Sequence, residues 1–163
     1  MTASRPLGVL FLCTGNSARS QIAEALLTTK GHGRFRVGSA GTKPAGEVNP
    51  GAVAVLREHG IDWTGRVPKT IDDVQQASWD LVITVCDNAK ETCPVFPGHP
   101  AFAHWGMPDP ADVEGEDARR RAFLDTYQVL GRRIDLLLAL PVEKLEQRAM
   151  ELRVGAIGGA AAN

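Results

Sequence analysis

The chain has 163 residues, with 18 Lys and Arg against 19 Asp and Glu and a formal net charge of −1. That length suits one domain with a substantial core, and the balanced charge excludes a basic block for nucleic acid or a basic amphipathic helix for a membrane surface. The opening MTASRPLGVLFL has too short an apolar run for a signal peptide, and no stretch approaches a membrane span, so a cytoplasmic protein is expected.

The first element is Leu7 to Leu12, a continuous apolar run of the kind that forms a strand buried on both faces of a parallel sheet. It leads into Cys13, five residues, Arg19 and Ser20. From Ala18 the pattern predicts a helix, with Ile22, Ala25, Leu26 and Thr29 spaced along one face. Arg34 to Ser39 predicts a second strand. Gly38 and Gly41 mark a turn or a close backbone approach beside the first loop. Asn49-Pro50 starts a helix, Asn as cap and Pro at the first position, and Gly60 ends it. Thr70 ahead of Asp73 is a capping pattern for a short helix. Trp79 to Val85 predicts a third strand, Ala101 to Trp105 a fourth, and Glu116 to Leu140 the longest helix. Pro141 interrupts that helix. Val142 to Leu152 adds a helical piece, and the Gly/Ala-rich end is expected to fray.

Alternating strands and helices predict an α/β fold, a small doubly wound four-stranded parallel sheet with helices on both faces. Residues 1–140 are read as the single domain and 141–163 as a helical extension with a frayed tail. Cys13, Ser39, Cys86 and the loop after Trp105 all follow predicted strands, so they gather at one edge of the sheet, where ligands bind in such folds.

Strand, tight loop and helix start make an anion site. Backbone N–H groups and the helix dipole present positive charge, and Arg19 adds a planar fork for a tetrahedral oxyanion. Gly15 permits close backbone approach, and Asn16 tolerates unusual dihedrals. In that field Cys13 is pushed toward the thiolate, and Ser17 and Ser20 can donate hydrogen bonds to it. The bland alternative is a buried core cysteine at a strand end.

Cys86 and Cys93 lie at the two ends of a loop that follows the third strand. Two unrelated buried cysteines would explain them. A zinc pair would not, because C-x6-C is not zinc spacing and no second pair completes four ligands; His32, His59, His99 and His104 are scattered. A thiol–disulfide relay is the functional reading, and it asks for a segment that can bring sulfur atoms in line. Asp109 in HWGMPDPAD is the candidate acid, with a solvated loop aspartate as the alternative and Asp112 close by.

The chain resembles the thioredoxin-coupled arsenate reductases, which are built on the low-molecular-weight protein tyrosine phosphatase fold. The resemblance rests on CTGNSARS (13–20), VGSAGTKPAGEVNPGAV (37–53), TVCDNAKETCPVFPG (84–98) and HWGMPDPAD (104–112). The first and last belong to the whole phosphatase-like superfamily, whereas CDNAKETCP is specific to the reductase branch. It implies that arsenate sits in the loop of Thr14, Gly15, Asn16, Ser17, Ala18, Arg19 and Ser20, held by backbone N–H groups and by the Arg19 side chain. Cys13 attacks arsenic, Asp109 protonates the departing oxygen, Cys86 attacks Cys13, and Cys93 attacks Cys86. Thioredoxin then reduces the Cys86–Cys93 disulfide. No cofactor is implied, and phosphate or sulfate is expected to compete in the loop. Position 18 is Ala where many relatives carry another cysteine, which leaves Cys86 as the first relay thiol. Some members bind potassium, and Asn16, Glu24 and Ser39 match that site in type.

The first rival reading is a low-molecular-weight protein tyrosine phosphatase, since the same cradle and acid serve phosphoryl transfer. Phosphatases of this fold usually carry aromatic residues after the Asp-Pro pair, and here Ala111-Asp112 follows Asp109-Pro110. A weak side phosphatase activity is still expected. A non-catalytic anion-binding module is the second rival, disfavoured by the three cysteines.

Overall fold

A computed structural model describes residues 6–86 and 96–160. Its strands are β1 (Leu7–Cys13), β2 (Phe35–Gly41), β3 (Leu81–Thr84) and β4 (Ala101–His104). Its helices are α1 (Arg19–Gly31), α2 (Pro50–Glu58), α3 (Ile71–Gln75), α4 (Glu116–Leu138) and α5 (Gln147–Ala160), with 3-10 turns at Pro110–Asp112 and Val142–Lys144. Among the described residues the strands form one sheet in the order β2-β1-β3-β4, and every pairing is parallel. This is the expected α/β sheet. β1 is buried from Gly8 to Cys13 and β3 throughout, so both faces of the central strands are covered, as a parallel sheet built with helical crossovers requires.

The strand order positions the chemistry. The chain leaves β1 for one side of the sheet, then returns to the other side for β3. The carboxyl ends of β1 and β3 therefore lie together where the winding reverses, the usual ligand position in open α/β sheets. Leu12 pairs with Thr84, so the residues after each strand, Cys13 and Thr14 on one and Val85 and Cys86 on the other, run side by side.

The predicted helix starts have clear local causes. Asn49 accepts a 2.9 Å hydrogen bond from the Gly51 amide at the head of α2, with Pro50 at the first helical position. Thr70 and Asp73 form a reciprocal capping box on α3, at 3.1 and 2.9 Å. Two places depart from expectation. α1 is not apolar on one face only, because Ser20, Gln21 and Glu24 are buried together with Ile22, Ala23, Ala25, Leu26 and Leu27. The helix is enclosed by the sheet, α2 and α4, and its polar residues serve the loop before it.

The second departure is the C-terminal segment. Val142–Lys144 is a single 3-10 turn, and α5 runs on through 155–160, where a frayed tail was expected. Val142, Met150, Val154 and Ile157 join the main core. The small residues permit close packing, since a Cβ on Gly158 would stand 2.4 Å from the His104 carbonyl oxygen.

Candidate active site

Cys13 ends β1 and is 2% exposed. The next residues, Thr14 to Ala18, form the loop, and Arg19 opens α1, whose N-cap Ala18 offers no side chain to the first-turn amides. The loop folds back tightly. Asn16 takes a left-handed conformation, φ 50°, as its position required. Its backbone N–H donates to Cys13 Sγ at 3.2 Å.

Asn16 also organises the side chains. The Lys69 backbone N–H donates to its Oδ1 at 2.8 Å, which fixes the orientation of the amide. Nδ2 then faces Ser20 Oγ and Ser39 Oγ, both at 2.8 Å, and donates to both. Ser20 Oγ stands 2.9 Å from Cys13 Sγ and is the donor whenever that sulfur is the thiolate, which can only accept. Ser39 likewise donates to Glu24 Oε1 at 2.5 Å. A connected network therefore joins Glu24, Ser39, Asn16, Ser20 and the sulfur, with donation running outward from the Asn16 amide on both branches. Of the two hydroxyls expected at the sulfur, Ser20 makes the contact; Ser17 is not bonded to it and gives its carbonyl to the Asn49 amide at 2.8 Å.

Burial pushes the Cys13 thiol up from its ordinary value, while the Ser20 hydroxyl and amide, the Arg19 charge and the Asn16 amide pull it down. The net direction is upward, because the loop's donors offset only part of the cost of burying the anion. Each of those donors nonetheless favours the sulfur anion over the thiol.

Cys86 stands just past β3, is 4% exposed, and places its Sγ 3.3 Å from Thr14 Oγ1. Both described cysteines are free thiols. Cys93 lies outside the described residues. Arg19 donates through Nη1 to the Met107 carbonyl at 3.0 Å, and its Nη2 is 3.4 Å from Asp109 Oδ2. Asp109 keeps its other oxygen on the Ala111 amide at 3.0 Å. Arg19 Nε is buried and has no hydrogen-bond partner among the described residues. Asp109, and not Asp112, is thus the carboxylate beside the loop arginine; Asp112 belongs to the following 3-10 turn.

Several site residues carried no sequence signal. Gln21 donates to the Asn16 carbonyl and Oδ1 at 3.0 and 3.1 Å, and accepts from Trp63 Nε1 at 2.8 Å. Lys69 and Met107 act through backbone groups, which composition cannot reveal. Gly41 did have a signal: a Cβ there would lie 2.5 Å from the Thr14 carbonyl oxygen, so the paired glycines do mark a close approach. At Gly15 the same test meets only Ser17 Oγ at 3.4 Å, an ordinary contact, so the close approach is made at Gly41 instead.

The potassium set is not arranged for a cation. Asn16 presents its donor nitrogen toward Ser39, and its oxygen is engaged by Lys69 and Gln21. Glu24 has Lys69 Nζ at 3.8 Å and Arg66 Nη1 at 4.0 Å, so its charge is already answered. Asn16, Glu24 and Ser39 do converge, but as a hydrogen-bond chain. Among the described residues no cluster of His, Cys, Asp and Glu suits a metal.

Comparison with known proteins agrees with this geometry. Residues 8–150 match the family "Low molecular weight phosphotyrosine protein phosphatase". An arsenate reductase of Bacillus licheniformis is 41% identical over 127 residues, 77% of this chain and 91% of that protein. The solved thioredoxin-dependent arsenate reductase of Corynebacterium glutamicum superposes with a TM-score of 0.65 at 33% identity, over 83% of this chain; the chain spans only 62% of that protein. A low molecular weight protein tyrosine phosphatase from T. tengcongensis superposes with a TM-score of 0.68 at 25% identity, over 85% of this chain and 99% of that one. The chain therefore belongs to the low molecular weight phosphotyrosine protein phosphatase family. Within that family its sequence similarity runs to enzymes named arsenate reductase.

Proposed function

We propose that the protein reduces arsenate to arsenite with electrons from its own thiols. The observation that carries this reading is the meeting of two free cysteines at the switch point of the sheet, with Cys86 Sγ 3.3 Å from the hydroxyl of the residue after Cys13. A phosphatase needs only the first thiol. Arsenate enters the loop of Thr14 to Ser20 and is held by its amides and by Arg19, whose buried Nε is a ready donor. Cys13 thiolate attacks arsenic, forming an S–As bond, and Asp109 gives its proton to the departing oxygen, which leaves as water. Cys86 thiolate then attacks Cys13 Sγ. An S–S bond forms, the S–As bond breaks with its electron pair on arsenic, and arsenite departs. Cys93 attacks Cys86, releasing Cys13, and a dithiol of the thioredoxin class reduces the Cys86–Cys93 disulfide.

Phosphate and sulfate, tetrahedral anions of similar shape, compete for the loop. The site requires no cofactor. Every reacting residue lies within 1–140, and the C-terminal segment packs against that body. Among the described residues no helix is long and apolar enough to cross a membrane, and we place the reaction in the reducing cytoplasm on the cysteine usage.

Thiol counting tests the reading. In buffer without reductant, one arsenate consumed should oxidise two thiols per chain. Arsenate consumption with no thiol loss would remove the reductase. The fold similarity to a phosphatase, with the shared cradle, supports a slow phosphatase side activity, read out with an aryl phosphate.

A further inference from the structure

Arg133 on α4 is 1% exposed, and among the described residues no carboxylate pairs with it. Burial draws its pKa down, with a further push from the neighbouring Arg132 charge. A buried guanidinium without a counter-ion is expensive, so its surroundings should explain its retention. Nη1 donates to the carbonyls of Trp105 at 3.0 Å and Gly106 at 3.4 Å, and Nη2 donates to the Gly158 carbonyl at 3.1 Å. The Gly158 carbonyl lies in the last described turn of α5. The cation thus ties α4 to a backbone carbonyl of α5.

The second anchor of this carbonyl cluster is the stretch that carries the acid. Trp105 and Gly106 lead directly to Met107 and Asp109, the two groups on Arg19. Trp105 is itself tied to α5, its Nε1 donating to the Val154 carbonyl at 2.9 Å, and Gly158 packs against His104 too closely for a side chain. Behind the acid stretch lies a cavity of about 260 Å3, lined among others by Gly106, Pro108, Pro110, Val129 and Arg133. The stretch is held at its root more than along its back.

We propose that Arg133 and the C-terminal helix act as a positioning bracket: by joining Gly158 to Trp105 and Gly106, the guanidinium sets where Asp109 stands against Arg19. This rests on the reading of Asp109 as the acid. It gives residues 147–160, most of which lie past the end of the family match, a part in the chemistry without contact with substrate.

The test uses the full chain with Arg133→Met. The folded variant, checked by circular dichroism, should lose thiols to arsenate about 10- to 100-fold more slowly in a single turnover, with half-saturating arsenate changed less than about threefold. The amides of Gly106, Met107 and Asp109 should exchange hydrogen about tenfold faster. In an Asp109→Asn background Arg133→Met should cause no further slowing, and Arg133→Lys, with charge but no fork, should recover part of the rate. Unchanged exchange at those amides, or equal slowing in the Asp109→Asn background, overturns the bracket. If Asp109→Asn alone proves silent, the acid reading fails, and the exchange readout still decides the bracket by itself. Should Arg133→Met not fold, Gly158→Ala, which forces α5 off His104, is measured in the same way with the same expected and contrary results.

Discussion

Ser20→Ala removes one oxygen from the buried site and should be felt at one sulfur. The Ser20 hydroxyl is 2.9 Å from Cys13 Sγ, accepts from the Asn16 amide, and donates to the sulfur when that is the anion. It is the largest of the influences opposing the rise that burial imposes on the thiol. A hydrogen bond to a charged acceptor contributes about 1.5–3 kcal/mol. Without it the Cys13 thiol should be pushed further up, and the thiolate fraction near pH 7 should fall about 10- to 100-fold. The assay is the pH dependence of Cys13 alkylation in a Cys86→Ser, Cys93→Ser background, where a single thiol reports. Ser17→Ala is the control, since Ser17 does not touch the sulfur, and its alkylation profile should overlay the parent. A Ser20→Ala midpoint within a few tenths of a unit of the parent would refute the Ser20 hydrogen bond as a stabiliser of the sulfur anion.

Three further outcomes are expected. Asp109→Asn should slow the arsenate-dependent loss of thiols about 10²- to 10⁴-fold, and an unchanged rate assigns the proton to another group. Gly41→Ala should cost about 1–3 kcal/mol in urea unfolding, because its Cβ meets the Thr14 carbonyl backbone at 2.5 Å, while Gly15→Ala should stay near the parent; equal midpoints for the two would contradict the close approach. Glu143 is held below the usual glutamate range by its bonds to Arg34, so this pair stabilises the fold above that range and loses its contribution as pH falls through it. Glu143→Gln should therefore lower the melting temperature at pH 7 by an amount that shrinks in acid; a constant difference across pH would show that the ion pair is not its source.

The parts legible in the sequence were those with a local cause. The run before Cys13 had to be a central strand, because nothing in it tolerates water. Asn49-Pro50 and Thr70 with Asp73 state their helix starts in the first few residues, and the structure shows both caps. Of the two glycines read for close approach beside the first loop, Gly41 makes it, against the Thr14 carbonyl, whereas Gly38 makes room for the Trp79 ring, which a Cβ would meet at 2.7 Å. What escaped was set by partners far along the chain. Ser20, Gln21 and Glu24 look like the wet side of an amphipathic helix, yet they are buried because Asn16, Ser39 and Trp63 complete their hydrogen bonds. The pairing of Arg19 with Asp109 spans ninety positions and has no periodic trace. The Gly/Ala-rich end read as a tail because small residues are weak helix signals. The reason for them is the His104 carbonyl pressed against Gly158, which only the folded chain reveals. The upward push on Cys13 is a matter of depth, which motif spacing does not encode.

The relay depends on Cys86 reaching the Cys13 sulfur from its place beside Thr14. Peptide mapping of Cys93→Ser after one arsenate turnover in reductant-free buffer tests this most directly. A Cys13–Cys86 crosslink, one per arsenite released, is the predicted product. Arsenite released with both peptides recovered as free thiols would contradict the relay and leave only the anion cradle.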